Sequence, residues 1–401
     1  MEEYDYVIVG SGLAGVSAIK GIRDEDQDGT ILLIGREEEL PYDRPPLSKD
    51  LLLEEGKEVE GVRIEAEDFY RENEVDVKLG TEVVDLEVDP KHVKDENGDR
   101  YGYEHLLLAT GGQPKTLDIP GGDLDGVIYY RYLDDYREVD RKLGAAEKAV
   151  VIGGGFIGSE MAAALTQNDL EVSMVFPERY LLERIFPVEL AGIVQEDYRR
   201  RGVKVFNGET PESITKEDGV YRVKTSSGRT IEGDVVVAGI GIAPSVELAE
   251  RAGLEVFDGI GVDGCLETTV SDVYAAGDVA YFPYAALGDC KRVEHWDNAI
   301  KQGKQAGRNM AGAEEAYDYV PYFFSDLFDL GFEALGEIDS RLDTFIDWKN
   351  EGETGAIYYL SEEGKVRGVV LLGLWGKKKA ARRLIESDET FEGHELKGEI
   401  E

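Results

Sequence analysis

The sequence predicts an α/β protein with two doubly wound domains, one inserted in the other, and a small C-terminal α+β domain. Three observations lead to this fold class. A strand, a glycine-rich loop, a helix and a second strand follow one another twice along the chain. Two further short strands end in a glycine turn or a carboxylate, as strands of such sheets do. After about residue 316 the pattern changes to alternating strand-like runs, at Asp343–Trp348, Gly355–Leu360 and Val366–Leu372, and a final helix from about Lys377 to Ile385.

The first unit begins near the N-terminus. The apolar strand Tyr6–Val9 leads into Gly10-Ser11-Gly12-Leu13-Ala14-Gly15, and a helix through about Arg23 and the strand Ile31–Ile34 follow. In this GxGxxG spacing the first glycine permits a tight turn, the second lets a pyrophosphate approach the backbone, and the third lets the helix pack on the strand. Because the N–H groups at a helix N-terminus attract phosphates, the loop predicts a dinucleotide site at Gly10, Gly12, Leu13, Ala14 and Gly15.

The same order occurs again in the middle of the chain. The strand Ala149–Ile152 leads into Gly153-Gly154-Gly155-Phe156-Ile157-Gly158, and the helix Ser159–Gln167 and the strand Glu171–Phe176 follow. Two such units predict two Rossmann-like dinucleotide-binding domains and therefore two bound dinucleotides. The function that this duplication favours is electron transfer from one dinucleotide to the other.

Two later segments are expected to join the sheet of the first domain. One strand ends at Ala109-Thr110-Gly111, and another, Val273–Ala276, ends at Gly277-Asp278. Ligands lie beyond the carboxyl ends of strands in an open α/β sheet, so we expect Asp278 to accept a hydrogen bond from a cofactor hydroxyl. The predicted organisation is the first domain at 1–113 and 241–315, the inserted domain at 114–240, and the C-terminal domain at 316–401.

Charge and composition exclude several classes of protein. The chain has 84 acidic and 44 basic residues among 401, a net charge of −40, which repels nucleic acid and anionic lipids. No run approaches the ~18 apolar residues of a membrane span, and no signal peptide is evident, so we expect a cytoplasmic protein. Cys265 and Cys290 form neither a disulfide framework nor a CxxC motif, and we expect two buried thiols and no metal site.

Six motifs carry a resemblance to a known family over essentially the whole chain. The most specific is Pro41–Lys49, which is similar to a PYxRPPLSK segment; the others are 109–111, 153–160, 276–278, 294–296 and 324–326. In these motifs the chain resembles the two-dinucleotide flavoprotein reductases that include ferredoxin and putidaredoxin reductases, monodehydroascorbate reductase and apoptosis-inducing factor. They form a branch of the pyridine nucleotide-disulfide oxidoreductase superfamily without the redox-active disulfide, and Tyr42–Leu53 here contains no cysteine.

The resemblance implies that FAD binds to the first domain. Lys49 would lie near flavin N5, paired with Glu160, and these two are the implied catalytic residues; a cation there stabilises negative charge that arrives with the hydride. Glu37 would hold the FAD ribose, because Arg36 occupies the place of the usual acidic residue. The further implied cofactor-binding residues are Arg44, Val84, Ala109, Thr110, Gly111, Arg131, Gly241, Gly277, Asp278, His295, Trp296 and Phe324.

The resemblance places NAD(P)H on the second domain. Phe156 would gate the nicotinamide pocket, and the other implied residues are Gly153, Gly154, Gly155, Ile157, Gly158, Glu160, Glu294 and Glu333. Glu178 follows the second strand of this domain, where a carboxylate bonds the ribose hydroxyls and repels a 2′-phosphate, which favours NADH. Arg184 and Arg179 could instead accommodate that phosphate, so NADPH stays open.

Two functions follow from this resemblance. The first is an enzyme that takes hydride from NADH onto FAD and passes electrons to a ferredoxin-like or rubredoxin-like iron–sulfur carrier or to a quinone. The alternative is an NADH-responsive redox and binding protein with slow turnover, similar to apoptosis-inducing factor. Five cations within Lys377–Arg383 are either a solvated face or a docking patch for an acidic carrier. A homodimer is left open.

Overall fold

A computed structural model of the chain describes residues 1–54 and 56–400. The strands are β1 Glu2–Val9, β2 Ile31–Ile34, β3 Val75–Lys78, β4 Val83–Val88, β5 Lys91–Asp95, β6 Arg100–Leu108, β7 Gly112–Pro114, β8 Val127–Tyr129, β9 Lys148–Ile152, β10 Glu171–Phe176, β11 Lys204–Asn207, β12 Pro211–Glu217, β13 Val220–Thr225, β14 Thr230–Gly233, β15 Val235–Ala238, β16 Ile242–Pro244, β17 Ile260–Gly261, β18 Val273–Ala275, β19 Ala280–Tyr284, β20 Asp289–Arg292, β21 Tyr322–Leu327, β22 Leu330–Gly336, β23 Asp343–Asn350, β24 Thr354–Leu360 and β25 Val366–Leu372. The helices are α1 Leu13–Glu25, α2 Asp50–Leu53, α3 Glu67–Glu72, α4 Leu133–Leu143, α5 Phe156–Gln167, α6 Val188–Arg200, α7 Glu247–Arg251, α8 Trp296–Met310 and α9 Lys378–Glu386.

The described residues form two compact units, each assembled from three stretches of chain. The first unit comprises Met1–Asp43, Val59–Gln113 and Ala243–Phe323. The second comprises Arg44–Glu58, Pro114–Ile242 and Phe324 onward. The α/β fold class with two nucleotide-binding folds and a C-terminal sheet is confirmed. The four predicted domain boundaries stay predictions.

The first unit is built on a sheet whose central strands are parallel. Its order is β3-β2-β1-β6, and β18 pairs in parallel with the C-terminal half of β6. Antiparallel strands β5 and β4 continue from the N-terminal half of β6. The side chains of Ile31–Ile34 are all buried, as expected of a parallel strand covered on both faces. Since β18 comes from far along the chain, one sheet combines residues on both sides of the inserted segment.

Helices α1 and α8 lie against each other in the first unit with their backbones in direct contact. A Cβ added at Gly303 would lie 2.2 Å from the carbonyl oxygen of Ala14. One added at Gly307 would lie 2.1 Å from that of Ala18. Only glycine permits this approach, which holds the first turn of α1, and so the loop that precedes it, against α8.

The second unit contains another parallel sheet and an antiparallel one. The parallel sheet has the order β11-β10-β9-β15-β8, and Val235–Ala238, the strand between β9 and β8, is wholly buried. The antiparallel sheet has the order β21-β22-β25-β24-β23, and α9 covers it with Ala381, Leu384 and Ile385. A smaller antiparallel sheet is formed by β12, β13 and β14. Strands were expected at Asp343–Trp348, Gly355–Leu360 and Val366–Leu372, and the structure has a strand at each place.

The sequence predicted no membrane-spanning segment and two buried cysteine thiols. Within residues 1–54 and 56–400, no helix combines the length and apolar character that crossing a bilayer requires. The expectation of two buried thiols was wrong, because Cys290 is exposed and Cys265 is only half-buried. Cys290 lies on β20, an edge strand in the order β17-β19-β20, and none of the four residues of this strand is buried. Sequence spacing does not show whether the face of such a strand is covered.

Candidate active site

The first glycine loop, Gly10–Gly15, makes a tight turn that leaves open space next to its middle glycine, Gly12. Gly10 has a φ of +119°, and a Cβ there would lie 2.1 Å from the carbonyl oxygen of Ala109. A Cβ on Gly15 would lie 2.1 Å from the carbonyl oxygen of Gly10. By contrast, nothing lies within 4 Å of a Cβ built on Gly12. The outer glycines are therefore required by packing, while the space above Gly12 at the start of α1 suits a pyrophosphate.

The second glycine loop, Gly153–Gly158, repeats this geometry in the second unit. Gly153 has a φ of +115° and contacts Gly239, and a Cβ on Gly158 would meet the carbonyl oxygen of Gly153 at 2.1 Å. Gly155, which precedes α5, again has nothing within 4 Å of a Cβ added to it. Its φ and ψ of −84° and −166° nearly equal the −88° and −169° of Gly12. Both loops thus fit a dinucleotide by the same backbone conformation.

The two loops differ in one compensated pair of residues. Ile34 pairs with Val9 and Val175 pairs with Ile152, so Gly35 and Phe176 occupy equivalent positions. In the first unit the loop residue Ser11 packs on Gly35, whereas in the second the Phe176 ring packs on Gly154. The larger side chain is on the loop in the first unit, where it is Ser11, and at the end of the strand in the second unit, where it is Phe176. Sequence reasoning missed Phe176, and its position in the strand register is the signal that finds it.

The same register relates two of the predicted ribose-binding residues. Glu37 lies three residues after Ile34, and Glu178 lies three residues after Val175. Both carboxylates therefore follow the second strand of their fold at the same distance from its end. Glu37 accepts a hydrogen bond from the Tyr42 hydroxyl. This equivalence supports Glu37 as the acidic ribose-binding residue of the first fold, because the usual position of that residue is occupied by Arg36.

The remaining candidate groups of the first unit gather where its parallel strands end. Thr110, after β6, donates its hydroxyl hydrogen bond to the carbonyl oxygen of Ser245 at 2.8 Å. Gly277 lies after the neighbouring strand β18, and its N–H donates to the side-chain oxygen of the fully buried Gln302 at 3.0 Å. Asp278 follows in the same turn. Gln302 was not predicted, because a glutamine within a helix carries no sequence signal of this role.

Two aromatic candidates begin helix α8. The Trp296 indole N–H donates to Asp43 at 2.8 Å. The ring of His295 lies 4.5 Å from that of Phe323, and its Nδ1 is buried without a hydrogen-bond partner among the described residues. Burial lowers the pKa of His295 to about 3, so the imidazole is neutral at physiological pH. Glu294, just before it, forms an ion pair with Arg292 at 2.5 Å.

Five further predicted cofactor-binding residues are Arg44, Arg131, Val84, Arg184 and Gly241. In the second unit the Arg44 guanidinium donates to the carbonyl oxygen of Arg131 at 3.0 Å and lies 5.2 Å from the ring of Tyr132. In the first unit Val84 is the residue at which the β4–β5 register shifts. Arg184 is exposed, and its carbonyl oxygen accepts a hydrogen bond from Ser340. Gly241 has a φ of +93°.

The predicted nicotinamide side of the second unit is aromatic. The Phe156 ring lies 6.3 Å from that of Phe332, which in turn lies 5.1 Å from Phe186. Ile157 is 36% exposed beside Phe156 at the start of α5. Next to Phe332 on β22, Glu333 is buried and pairs with Lys378 at 2.6 Å. The structure therefore brings Phe156 and the β22 segment together through Phe332.

A buried charge cluster connects three separate stretches of the second unit. The Lys49 ammonium lies 3.0 Å from Oε1 of Glu160, and both residues are less than a tenth exposed. Ser48 donates to Oε2 of Glu160 at 2.6 Å, and Ser325 donates to Oε1 at 2.6 Å. The Phe324 ring centre is 4.8 Å from the Lys49 ammonium. The predicted Lys49–Glu160 pair thus has two serine partners that were not predicted as site residues.

The carboxyl group of Asp326 lies near this cluster, and its pKa is affected by burial and by the charge of Lys49. Burial raises the pKa of the Asp326 carboxyl, and the nearby Lys49 ammonium opposes that rise. The two serine hydroxyls each donate to one oxygen of the Glu160 carboxylate, and such additional hydrogen bonds offset part of the cost of burying an ion pair.

Two open dinucleotide loops on two parallel sheets, together with a buried lysine–glutamate pair, define a two-dinucleotide oxidoreductase. The model of the family described as "Pyridine nucleotide-disulphide oxidoreductase" matches residues 4–303. A model described as "Apoptosis-inducing factor, mitochondrion-associated, C-term" matches residues 306–354. The chain belongs to the pyridine nucleotide-disulphide oxidoreductase family. It is an FAD-dependent NAD(P)H oxidoreductase, which confirms the predicted family, cofactors and enzyme class.

Similar proteins cover nearly the whole chain. Monodehydroascorbate reductase 3 of Arabidopsis thaliana is 36% identical over 397 residues, which span 93% of this chain and 90% of that protein. The ferredoxin–NAD(+) reductase component of the anthranilate 1,2-dioxygenase system of Burkholderia cepacia is 35% identical and covers 95% and 93%. The crystal structure of the ferredoxin reductase for the CYP199A2 system of Rhodopseudomonas palustris has a TM-score of 0.91 at 29% identity, covering 97% and 96%.

Proposed function

We propose that this oxidoreductase takes electrons from NADH and delivers them to a small acidic iron–sulfur protein. FAD, when bound, accepts two electrons as hydride and can release them one at a time, which links a nicotinamide to a one-electron carrier. Two relatives described above are named as ferredoxin reductases. The observation that carries the choice of acceptor is a basic surface on an otherwise acidic protein.

The chain's own residues divide the work between the two units. The loop Gly10–Gly15 is proposed to hold the FAD pyrophosphate, with Glu37 at the ribose and Asp278 at the ribityl chain. The loop Gly153–Gly158 is proposed to hold the NADH pyrophosphate at the N-terminus of α5. Lys49 is proposed to stabilise the negative charge that arrives on the flavin, and Glu160 to hold Lys49 in place.

The preference for NADH rests on Glu178. Its equivalence in register to Glu37 supports a role at the adenosine ribose. A carboxylate there bonds both hydroxyls and repels the 2′-phosphate of NADPH. Arg179 packs on the ring of Tyr180, with 5.0 Å between the guanidinium carbon and the ring centre, and its backbone N–H donates to the Glu183 carboxylate. These contacts favour a structural role for Arg179 over phosphate binding.

The basic surface consists of Trp375, Lys377, Lys379, Arg382 and Arg383. Trp375 is 57% exposed, and Lys377, Lys379 and Arg383 are also exposed. The first turn of α9 contains no acidic residue. Lys377 and Lys379 lie at the helix N-terminus, where cations oppose the helix dipole and cost roughly 0.3–1 kcal/mol each, so stability does not explain these two. Exposed cations close in sequence to an exposed tryptophan suit an acidic protein partner.

The proposed reaction is tested by mixing the FAD-loaded protein anaerobically with NADH or NADPH and following the flavin absorbance. We expect rapid bleaching by NADH and slower bleaching by NADPH, because Glu178 repels the 2′-phosphate. Acceptors are then added in turn: a ferredoxin, a rubredoxin, a quinone, ferricyanide and oxygen. Failure of NADH to bleach the band would reject the reaction, and a quinone that outpaces both iron–sulfur proteins would reject the acceptor.

A second candidate function has one observation in its favour. The model named for the C-terminal part of apoptosis-inducing factor matches residues 306–354. On this alternative the protein turns over slowly and changes its assembly when NADH is added. Measuring the oligomer mass with and without NADH distinguishes the two functions. An unchanged mass together with fast acceptor reduction would reject the NADH-responsive binding protein and support the reductase. A homodimer and a cytoplasmic location stay predictions.

Reversing charge on the basic surface should affect carrier reduction and stability in opposite directions. We expect Lys377→Glu/Lys379→Glu to slow reduction of an acidic ferredoxin about 10-fold at low salt, because attraction becomes repulsion. The same change should raise the melting temperature slightly, because acids suit the start of α9. Bleaching by NADH should not change. Lys204→Glu/Lys224→Glu, which changes the net charge by the same amount at two other exposed positions of the second unit, serves as the control for net charge.

Salt provides the check on this docking surface. The difference between the variant and the unchanged protein should shrink as ionic strength rises, since screening shortens the range of the attraction. If the double variant reduces ferredoxin at the unchanged rate in low salt, carriers dock elsewhere.

A further inference from the structure

Glu160 receives more hydrogen bonds than a simple ion pair requires. Its Oε1 lies 3.0 Å from the Lys49 ammonium in an ion pair and accepts a hydrogen bond from Ser325 at 2.6 Å. Its Oε2 accepts from Ser48 at 2.6 Å. Distances of 2.6 Å from a hydroxyl to a carboxylate are those of strong, charge-assisted hydrogen bonds. Ser325 is 1% exposed and Ser48 is 4% exposed, so water does not replace these donors easily.

We propose that Ser325 is a positioning residue, which fixes Oε1 of Glu160 and through that oxygen the Lys49 ammonium. The proposal rests on the proposed role of Lys49 in the reaction. The last torsion of a glutamate is broad, so a carboxylate held by Ser48 alone could still rotate. Ser325 holds the second oxygen and removes that freedom. The ammonium then has one defined acceptor instead of a range of positions.

Strand β21 supplies more than the hydroxyl group. Phe324 lies on one side of Ser325 and faces the Lys49 ammonium at 4.8 Å with its ring. Asp326 lies on the other side and interacts electrostatically with Lys49. Three consecutive residues of one strand therefore act on the same ion pair. This strand belongs to the antiparallel sheet of the second unit, so that sheet contributes to the placement of the charge.

The Ser48 and Ser325 hydroxyls are not equivalent in this arrangement. Ser325 shares its acceptor oxygen with Lys49, whereas Ser48 bonds the other oxygen. Loss of Ser325 therefore frees the oxygen that orients the ammonium, while loss of Ser48 leaves the shared oxygen in place. We expect the larger functional effect from Ser325.

The test compares Ser325→Ala, Ser325→Cys and Ser325→Thr in the FAD-loaded protein. We expect the rate of flavin bleaching by NADH to fall about 10-fold in the alanine variant, since a hydrogen bond to a charged group is lost. The flavin midpoint potential should shift negative, because a less fixed cation stabilises the added charge less well. Thr, which keeps the hydroxyl, should recover most of both values. Cys, a weak donor of similar size, should fall between Thr and Ala.

Controls separate positioning from packing. Ser48→Ala should reduce the rate less than Ser325→Ala, and Ser173→Ala, at a buried serine of β10, should change neither the rate nor the potential. If Ser325→Ala does not fold, the Cys and Thr variants carry the comparison. An alanine or cysteine variant that loses melting temperature but keeps its flavin potential would overturn the proposal.

Comparing the Ser325 variants with Lys49→Met distinguishes the positioning role of Ser325 from the proposed role of Lys49 in the reaction. If Lys49→Met slows bleaching and the Ser325 variants do not, only the positioning role of Ser325 is rejected. If neither Lys49→Met nor the Ser325 variants change the rate or the potential, the proposed role of Lys49 is rejected as well.

Discussion

Replacing Gly155 by alanine should raise the dissociation constant for NADH about 100-fold while the protein keeps its fold and its FAD. The backbone at Gly155 is extended, with a φ of −84°, and nothing lies within 4 Å of the added methyl group. The methyl group would instead occupy the space that we assign to the pyrophosphate. Losing hydrogen bonds to a charged ligand costs about 1.5–3 kcal/mol, which corresponds to roughly 10- to 150-fold in affinity.

The measurement is a titration with NADH under anaerobic conditions, together with the FAD-to-protein ratio and the melting temperature. Gly144→Ala is the matched control, because this glycine also has open space around it and a φ of −68° that alanine adopts freely. It should bind NADH normally and gain slight stability. Normal NADH affinity in Gly155→Ala would show that the loop does not hold the pyrophosphate.

Replacing Lys49 by methionine should slow bleaching of the flavin by NADH about 100- to 1,000-fold. That is the typical effect of removing one fixed group that stabilises charge developing in a reaction. The same change leaves the buried Glu160 carboxylate without its cation, which should cost about 3–5 kcal/mol of unfolding free energy. Rapid-mixing absorbance and chemical denaturation measure the two effects separately.

A second substitution distinguishes catalysis from stability. In Lys49→Met/Glu160→Gln the neutral amide can still exchange hydrogen bonds with Ser48 and Ser325, so most of the stability should return. The rate should stay low, because no cation has been restored. Lys57→Met is the control: this lysine belongs to the same segment and pairs with Asp50, but the pair is partly exposed and should contribute about 0–1 kcal/mol. A double variant that recovers its rate would mean that Lys49 only balances Glu160.

Much of the fold could be predicted because its signals are local. The strand Ile31–Ile34 and the strand Val366–Leu372 were predicted with the ends that the structure shows. Ile31–Ile34 is a continuous apolar run that indicates a buried strand directly, whereas Val366–Leu372 contains Arg367 and Gly368 and was recognised from its mainly β-branched and apolar residues. The helix after Gly155 begins at Phe156 rather than at Ser159, since the glycine itself caps the helix. Helix ends depend on such backbone geometry more than on residue type.

The site was predictable only in part, for a physical reason. Lys49 and Glu160 were named through a resemblance, and their pairing at 3.0 Å agrees with that expectation. Ser48 and Ser325 lie within two of the six motifs, but neither was assigned a role, because a serine is often only a cap or a turn residue and no local pattern shows which distant carboxylate it bonds. The exposure of Cys290 was not predictable either, since it depends on whether other segments of the folded chain cover strand β20.

The sequence by itself determined that the chain has two dinucleotide loops, because the spacing of glycines and apolar residues over about 30 positions acts through local sterics. It also determined the excess of acidic residues and the basic run at the start of α9. Only the tertiary structure decided that Ser48, Glu160 and Ser325, from three distant stretches of the second unit, share one buried ion pair with Lys49. Such a contact is decided by packing between segments, where burial makes each unpaired charge costly, and no spacing along the chain encodes it.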